Sequence, residues 1–247
     1  MHLRHSIAVL AAGACALIGI CGGPVVAGGQ KVVVELFTSQ GCSSCPAADK
    51  LLGELASNPS VLPMSLSVDY WDYLGWKDTL ALPGHAKRQR GYAGSRGDRA
   101  IYTPQAVVNG VTHVLGSDKQ AIERAVKSAS NGAQLDVKVA VADGKIHVDI
   151  PAATQGGQAG EIWLCPLSKA VPVKIGRGEN SGQHITYTNV VRGWVKLGEW
   201  KGEALRLSKA LSEISGKGKY DAVAVLVQAG KVEAPGVVYG AATAPIN

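Results

Sequence analysis

Between Lys31 and Thr38 the chain reads KVVVELFT, an apolar, β-branched run without alternation. That pattern predicts a strand buried on both faces, as in a mostly parallel sheet. The stretch PAADKLLGELA after Cys45 places Pro46 in a first helical turn and spaces Leu51, Leu52 and Leu55 along one face, which predicts a helix. Val61 to Val68 reads as a second strand, entered from about Met64 because of Pro63. The long segment that follows predicts a helix around Gly84 to Tyr92, and Ile101 to Val108 leads through Asn109-Gly110 into Val111 to Leu115, a hairpin. Ser117 or Asp118 can cap a further helix, in which Ile122 and Val126 lie four apart.

Near Ser130-Asn131-Gly132 the period changes. Leu135 to Val139 and Ile146 to Ile150 alternate with period two around Asp143-Gly144, which predicts a second hairpin. Strands also fit Glu161 to Leu167, Ile185 to Leu197 and Asp221 to Gln228, whereas residues 203 to 214 suit neither period. Residues 28–131 therefore read as an α/β domain and residues 132–247 as a β-rich, sandwich-like domain.

The first 27 residues predict a secretory signal peptide. Arg4 precedes an apolar run from Ile7 to Ile20, and Val25-Val26-Ala27 offers a cleavage site near Ala27. The run is interrupted by glycines and is shorter than the ~20 residues that span a bilayer, and Ile20 is bulkier than lipoprotein processing before Cys21 prefers. Export to the periplasm or medium is expected, with no integral membrane segment in the mature chain. The net charge of +6 is spread along the sequence. With no nucleic-acid motif in an exported chain, nucleic acid is not an expected partner.

Export leaves Cys42, Cys45 and Cys165. One close pair plus a single cysteine is not a disulfide framework, so the pair points to chemistry. Two cysteines separated by two residues at a helix start can close a small disulfide ring, and the helix N-terminus stabilises a thiolate there. Cys42 is the candidate nucleophile and Cys45 the resolving thiol. A structural disulfide is one competing reading and a metal site another; neither a second CxxC nor a clustered His pair accompanies the motif, and no resident metal or cofactor is expected. His85 and His113 would be the histidines to approach the dithiol if it handled copper. Cys165 reads as a buried free thiol.

Asp69, Tyr70, Trp71, Asp72 and Trp76 follow the second strand, at the sheet end where the cysteines should lie. Trp71 and Asp69 are candidate substrate-groove residues. Asp69 is also a candidate proton shuttle for Cys45, with turn capping as the plainer alternative. The basic stretch Lys87, Arg88, Arg90, Arg96 and Arg99 reads first as a solvated helix face. Arg177, Glu179 and Asn180 form a polar turn that can reach the first half.

The segments VELFTSQGCSSCPAADKLL, VDYWDYLGWKD, KRQRGYA, YTPQAVVNG and RGENSGQHITYTNVVRGW together resemble an exported bacterial thioredoxin-like family known as domain of unknown function 1223. The resemblance covers nearly all of the mature chain. It implies a thioredoxin-like α/β first domain with a β-rich region after it, and a redox-type pair at Cys42 and Cys45. It also places Thr103-Pro104 where such folds carry a cis-proline facing the disulfide, with Thr103 contacting an extended substrate. Ser67 stands where the family often has His. The expected activity is thiol-disulfide oxidoreduction outside the cytoplasm, with protein thiols or disulfides and a redox partner protein as partners. A non-catalytic scaffold and a copper-handling protein remain the alternatives.

Overall fold

The structure, a computed structural model, describes residues 29–132, 134–154, 158–231 and 233–246. The expected signal peptide lies outside the described residues. Strands β1 (Val32–Thr38), β2 (Val61–Ser67), β3 (Gln105–Val108) and β4 (Thr112–Leu115) alternate with helices α1 (Cys45–Leu55), α2 (Pro83–Arg96) and α3 (Lys119–Ser130). Eight more strands follow: β5 (Lys138–Ala142), β6 (Lys145–Ile150), β7 (Gly160–Lys174), β8 (His184–Val191), β9 (Val195–Trp200), β10 (Leu205–Ala210), β11 (Ala222–Lys231) and β12 (Ala234–Pro245).

The expected architecture, an α/β thioredoxin-like domain followed by a separate β-rich domain, is corrected here. Among the described residues 42% are in strands and 20% in helices, which makes the chain mostly β. A single mixed sheet of nine strands runs β12-β11-β7-β8-β2-β1-β3-β4, with β9 also paired to β7, so it draws on both halves of the sequence. A smaller antiparallel sheet, β10-β6-β5, covers part of it. The junction between halves is one parallel pair, Ser65 with Val190.

Side-chain burial explains why the halves do not separate. Along β1, Val33 and Phe37 point into one core while Val32, Val34 and Leu36 point into another, as the period of two requires. The first of these cores also contains Trp163, Cys165 and Leu167 of β7, Ala224 and Leu226 of β11, and Tyr92 of α2. On β11 the alternate residues Val223, Val225 and Val227 face a third core against Val139, Ile146 and Val148 of the small sheet. A strand buried on both faces needs a partner layer on each side, and those layers come from distant sequence.

Local details follow from the side chains. Asp118 caps α3 by accepting the Ala121 N–H at 2.9 Å. Pro63 lies inside β2, which begins at Val61 rather than near Met64, and the Pro63 carbonyl accepts the Asn189 side-chain amide. The basic stretch is not one solvated face. Arg88 is fully buried against Glu35, while Lys87 and Arg96 pair with Glu233 and Asp98. No described helix is long and apolar enough to cross a membrane.

Candidate functional site

Strand β1 ends at Thr38, and the chain turns through Ser39-Gln40-Gly41 into Cys42 before α1 starts at Cys45. The Cys42 N–H donates to the Ser39 carbonyl and the Cys45 N–H to the Cys42 carbonyl, each at 3.1 Å, which folds the loop tightly. Cys42 and Cys45 form a disulfide, with their Cα atoms 5.4 Å apart. Ser44 Oγ lies 3.4 Å from Cys42 Sγ. Pro46 sits in the first helical turn, which carries no acidic residue, so no side chain of that turn offsets the positive end of the helix.

Four side chains fix this loop from outside it. Asn180, in the turn between β7 and β8, donates to the carbonyls of Gln40 (3.0 Å) and Cys42 (2.8 Å). The Gln40 side chain accepts from Trp76 Nε1 at 2.8 Å, and its backbone N–H donates to Asp78 Oδ2 at 2.8 Å. Trp71 presses on Gly41, where a Cβ would lie 3.1 Å from Trp71 Cβ and 3.3 Å from its carbonyl oxygen, so a larger residue would push the Trp71 backbone away. The other edge of Trp71 donates from Nε1 to Thr103 Oγ1 at 2.7 Å.

The Thr103–Pro104 peptide is cis, and Pro104 is buried. Its carbonyl accepts the Gly116 N–H at 2.9 Å. Leu36, Pro104 and Ala48 converge on Gly116, where a Cβ would come within 2.6 Å of Leu36 Cδ1 and 3.3 Å of Ala48 Cβ. Pro104 is thereby placed against the turn of α1 that follows Cys45. Asp69 is half-buried after β2, and its carbonyl accepts the Asp72 N–H. Among the described residues its carboxylate has no hydrogen-bond or ion-pair partner. The structure thus brings Cys42, Cys45, Trp71, Thr103 and Pro104 to one end of β1 and α1. His85 and His113 are engaged with other partners: His85 Nδ1 is bonded to the Ser67 carbonyl, and His113 pairs with Asp98 and Tyr102. Burial lowers the His85 pKa to about 4, against the Ser67 carbonyl. Cys165 is buried and free, and burial pushes its thiol well up.

Sequence reasoning missed the acids beneath the disulfide. Asp49 lies on α1 four residues after Cys45, and only 2% of its surface is exposed. Thr38 Oγ1 donates to Asp49 Oδ2 at 3.1 Å, while Oδ1 has no partner. Burial pushes the Asp49 carboxyl up to about 8; the Thr38 bond opposes this and the nearby Asp78 charge adds to it. Asp78 is raised to about 6, again by burial first, although the N–H groups of Gln40, Leu80 and Ala81 all point at it. Tyr187 of β8 completes the group: its hydroxyl is buried without a partner, and its pKa is driven up by burial and by both acids. No Lys or Arg forms an ion pair with either acid among the described residues. The signal in the sequence was an Asp inside the stripe Cys45, Ala48, Asp49, Leu52, whose spacing is that of a buried helix face.

Among the described residues no group of three or more His, Cys, Asp or Glu is arranged to hold a metal ion. No curated protein matches the chain. It is similar to a structural-genomics protein of Agrobacterium tumefaciens solved by X-ray crystallography, with 33% identity and a TM-score of 0.75 over 87% of this chain and 93% of that one. A structure of HBP35 of Porphyromonas gingivalis is similar in fold alone, with 12% identity and a TM-score of 0.52 over 88% of this chain and 75% of that one. The model of the family described as "Protein of unknown function (DUF1223)" matches residues 33–228, most of the chain, and the protein belongs to that family.

Proposed function

We propose that the protein is a thiol-disulfide oxidoreductase of an extracytoplasmic compartment, working through the Cys42–Cys45 pair. The observation that carries this reading is the position of the disulfide: its second sulfur begins α1, and a buried acid with no cationic partner lies one turn below it. The helix N-terminus favours a thiolate at this loop, which makes Cys42 a good leaving and attacking sulfur. A ring closed between residues three apart removes little entropy from the unfolded chain, about 2 kcal/mol by loop closure. The loop is also held by Asn180 and Gln40 already, so a purely structural bond adds little here.

Protein thiols and disulfides fit the surroundings as partners. Tyr73, Ile101 and Leu115 are large apolar side chains at 76%, 42% and 49% exposure. Tyr73 stacks on Trp71, Ile101 is two residues before Thr103, and Leu115 pairs with Gln105 beside Pro104. Exposed apolar groups gathered at one site favour polypeptide contact.

A second reading has its own support. Cys42 is 2% exposed and Cys45 fully buried, which suits a scaffold protein with a structural disulfide. Equilibration of the purified protein with glutathione buffers separates the two. An oxidoreductase gives a reversible two-electron transition without unfolding, and Cys45→Ser accumulates a mixed disulfide on Cys42 while Cys42→Ser does not turn over. A pair that is reduced only after the protein unfolds overturns the redox reading in favour of the scaffold.

A further inference from the structure

Resting on the redox reading, we propose that Asp49 is the proton donor and acceptor for the Cys45 sulfur, and that it exchanges this proton with solvent through the groove between α1 and β8. Residues four apart on a helix are neighbours, about 5–6 Å between Cβ atoms, and both side chains belong to the buried face of α1. One Asp49 oxygen is committed to Thr38; the other is buried and unpartnered. Asp49 also lines a groove, together with Pro46 and Lys50 of α1 and with Gln183 and His184. Asp49 therefore links a buried sulfur to a surface groove.

The charged and titratable groups packed around it are few. Asp78 approaches from the segment before α2 and Tyr187 from β8, while Lys50 and His184 line the groove. Burial and the Asp78 charge keep the carboxyl protonated through neutral pH. An acid in that state can give a proton to a departing thiolate, and its conjugate base can take the proton back.

In the reductive direction, an external thiolate attacks Cys42 Sγ and forms a mixed disulfide. The Sγ–Sγ bond breaks and its electron pair goes to Cys45 Sγ, which takes the proton of the Asp49 carboxyl. Asp49 is left as a carboxylate and is reprotonated through the groove. In the reverse direction the Asp49 carboxylate removes the Cys45 proton. The resulting thiolate attacks Cys42 Sγ of the mixed disulfide and expels the external thiolate.

Stopped-flow reduction of the oxidised protein by dithiothreitol, followed by tryptophan fluorescence from about pH 5 to about pH 10 and divided by the dithiothreitol thiolate concentration, tests this step. The wild-type profile is expected to fall through an inflection near 8, where Asp49 loses its proton. Asp49→Asn should abolish the inflection and slow reduction at acid pH roughly a hundredfold. Thr38→Val keeps the acid but removes the bond that favours its carboxylate, so the inflection should move to higher pH. A profile for Asp49→Asn that superimposes on wild type overturns the proposal, as does loss of the inflection in Asp69→Asn instead. If the wild-type disulfide resists reduction in the folded state, the redox reading itself fails; if it is reduced normally and only the Asp49 effect is missing, that reading stands and this assignment alone falls.

Discussion

Two acids are buried against opposite faces of the same strand, and they live in opposite electrostatic worlds. On the α2 face of β1, Glu35 receives a bidentate pair from Arg88 at 2.6 and 2.7 Å and a hydrogen bond from Tyr92 at 2.6 Å. Arg88 also donates to Gln228 of β11 and lies 4.1 Å from the centre of the Trp194 ring. Burial alone would lower the Arg88 pKa, but Glu35 more than offsets it and the guanidinium stays charged. On the α1 face, Asp49 has a single hydroxyl donor and a neighbouring acid. A buried carboxylate matched by a guanidinium serves to join parts of the fold. One with no cation can change state at ordinary pH and can serve chemistry.

Removing the cation from the first cluster gives the largest expected effect. Arg88→Met leaves Glu35 without its counter-charge, and urea unfolding should show a loss of about 3–5 kcal/mol. Arg88→Met combined with Glu35→Gln should recover much of that loss, because the cost lies in the orphaned charge rather than in the absence of a salt bridge. The pH profile of disulfide reduction should not move in the double variant. If it does, the two faces of β1 are coupled and the contrast between them breaks.

The second cluster predicts a smaller, pH-dependent effect of opposite character. In the unfolded chain Asp49 ionises at its ordinary value of 3.8, while in the folded chain it holds its proton up to about 8. Between those values the folded state binds the extra proton, so stability falls as pH rises through the window and levels off above it. Raising the pH from about 5 to about 8 should cost the oxidised protein on the order of 2 kcal/mol in urea unfolding, after allowance for relaxation around the charge. Asp49→Asn, which cannot ionise, should remove most of that slope. Asp78, raised to about 6, acts in the same direction at the acid end and should leave a residual slope there. An undiminished alkaline decline in Asp49→Asn means that some other group carries it.

How far the sequence could foresee this contrast depends on the range of the interactions. Local ones were readable: the unbroken apolar run of β1, the proline-led start of α1, and Asn109-Gly110 and Asp143-Gly144, whose positive φ angles suit hairpin turns. Cys42, Cys45, Trp71, Thr103 and Pro104 were picked out as residue types, and the fold gathers them. The joining of the halves was not readable. A continuous run such as AVAVLV in β11 says that both faces are covered but not by what, and the covering side chains come from β1, β2 and α2 on one face and from β5 and β6 on the other. The same limit hid Asp78, which reaches the cysteine loop only through tertiary folding, whereas Asn180 is legible as part of a polar turn able to reach the first half, and its bonds to the Gln40 and Cys42 carbonyls make that contact. Asp49 could have been found from helical spacing alone, because an acid in a buried stripe one turn from a cysteine breaks the pattern around it.

Lys87, next to Arg88 on α2, offers the smallest effect and the sharpest control on the idea that surroundings decide what a charge does. It pairs with Glu233 at 3.0 Å, a length close to that of the buried pair, yet the two side chains are 61% and 50% exposed. Water already solvates both ions, and holding two long side chains together costs entropy, so the pair adds little net stability. Lys87→Ala should therefore leave urea unfolding almost unchanged, and moderate salt should not widen the difference. A loss approaching that of Arg88→Met would mean that the α2–β12 contact, rather than burial of the ion pair, fastens this helix. The contrast between the faces of β1 would then have to be drawn from packing and not from charge.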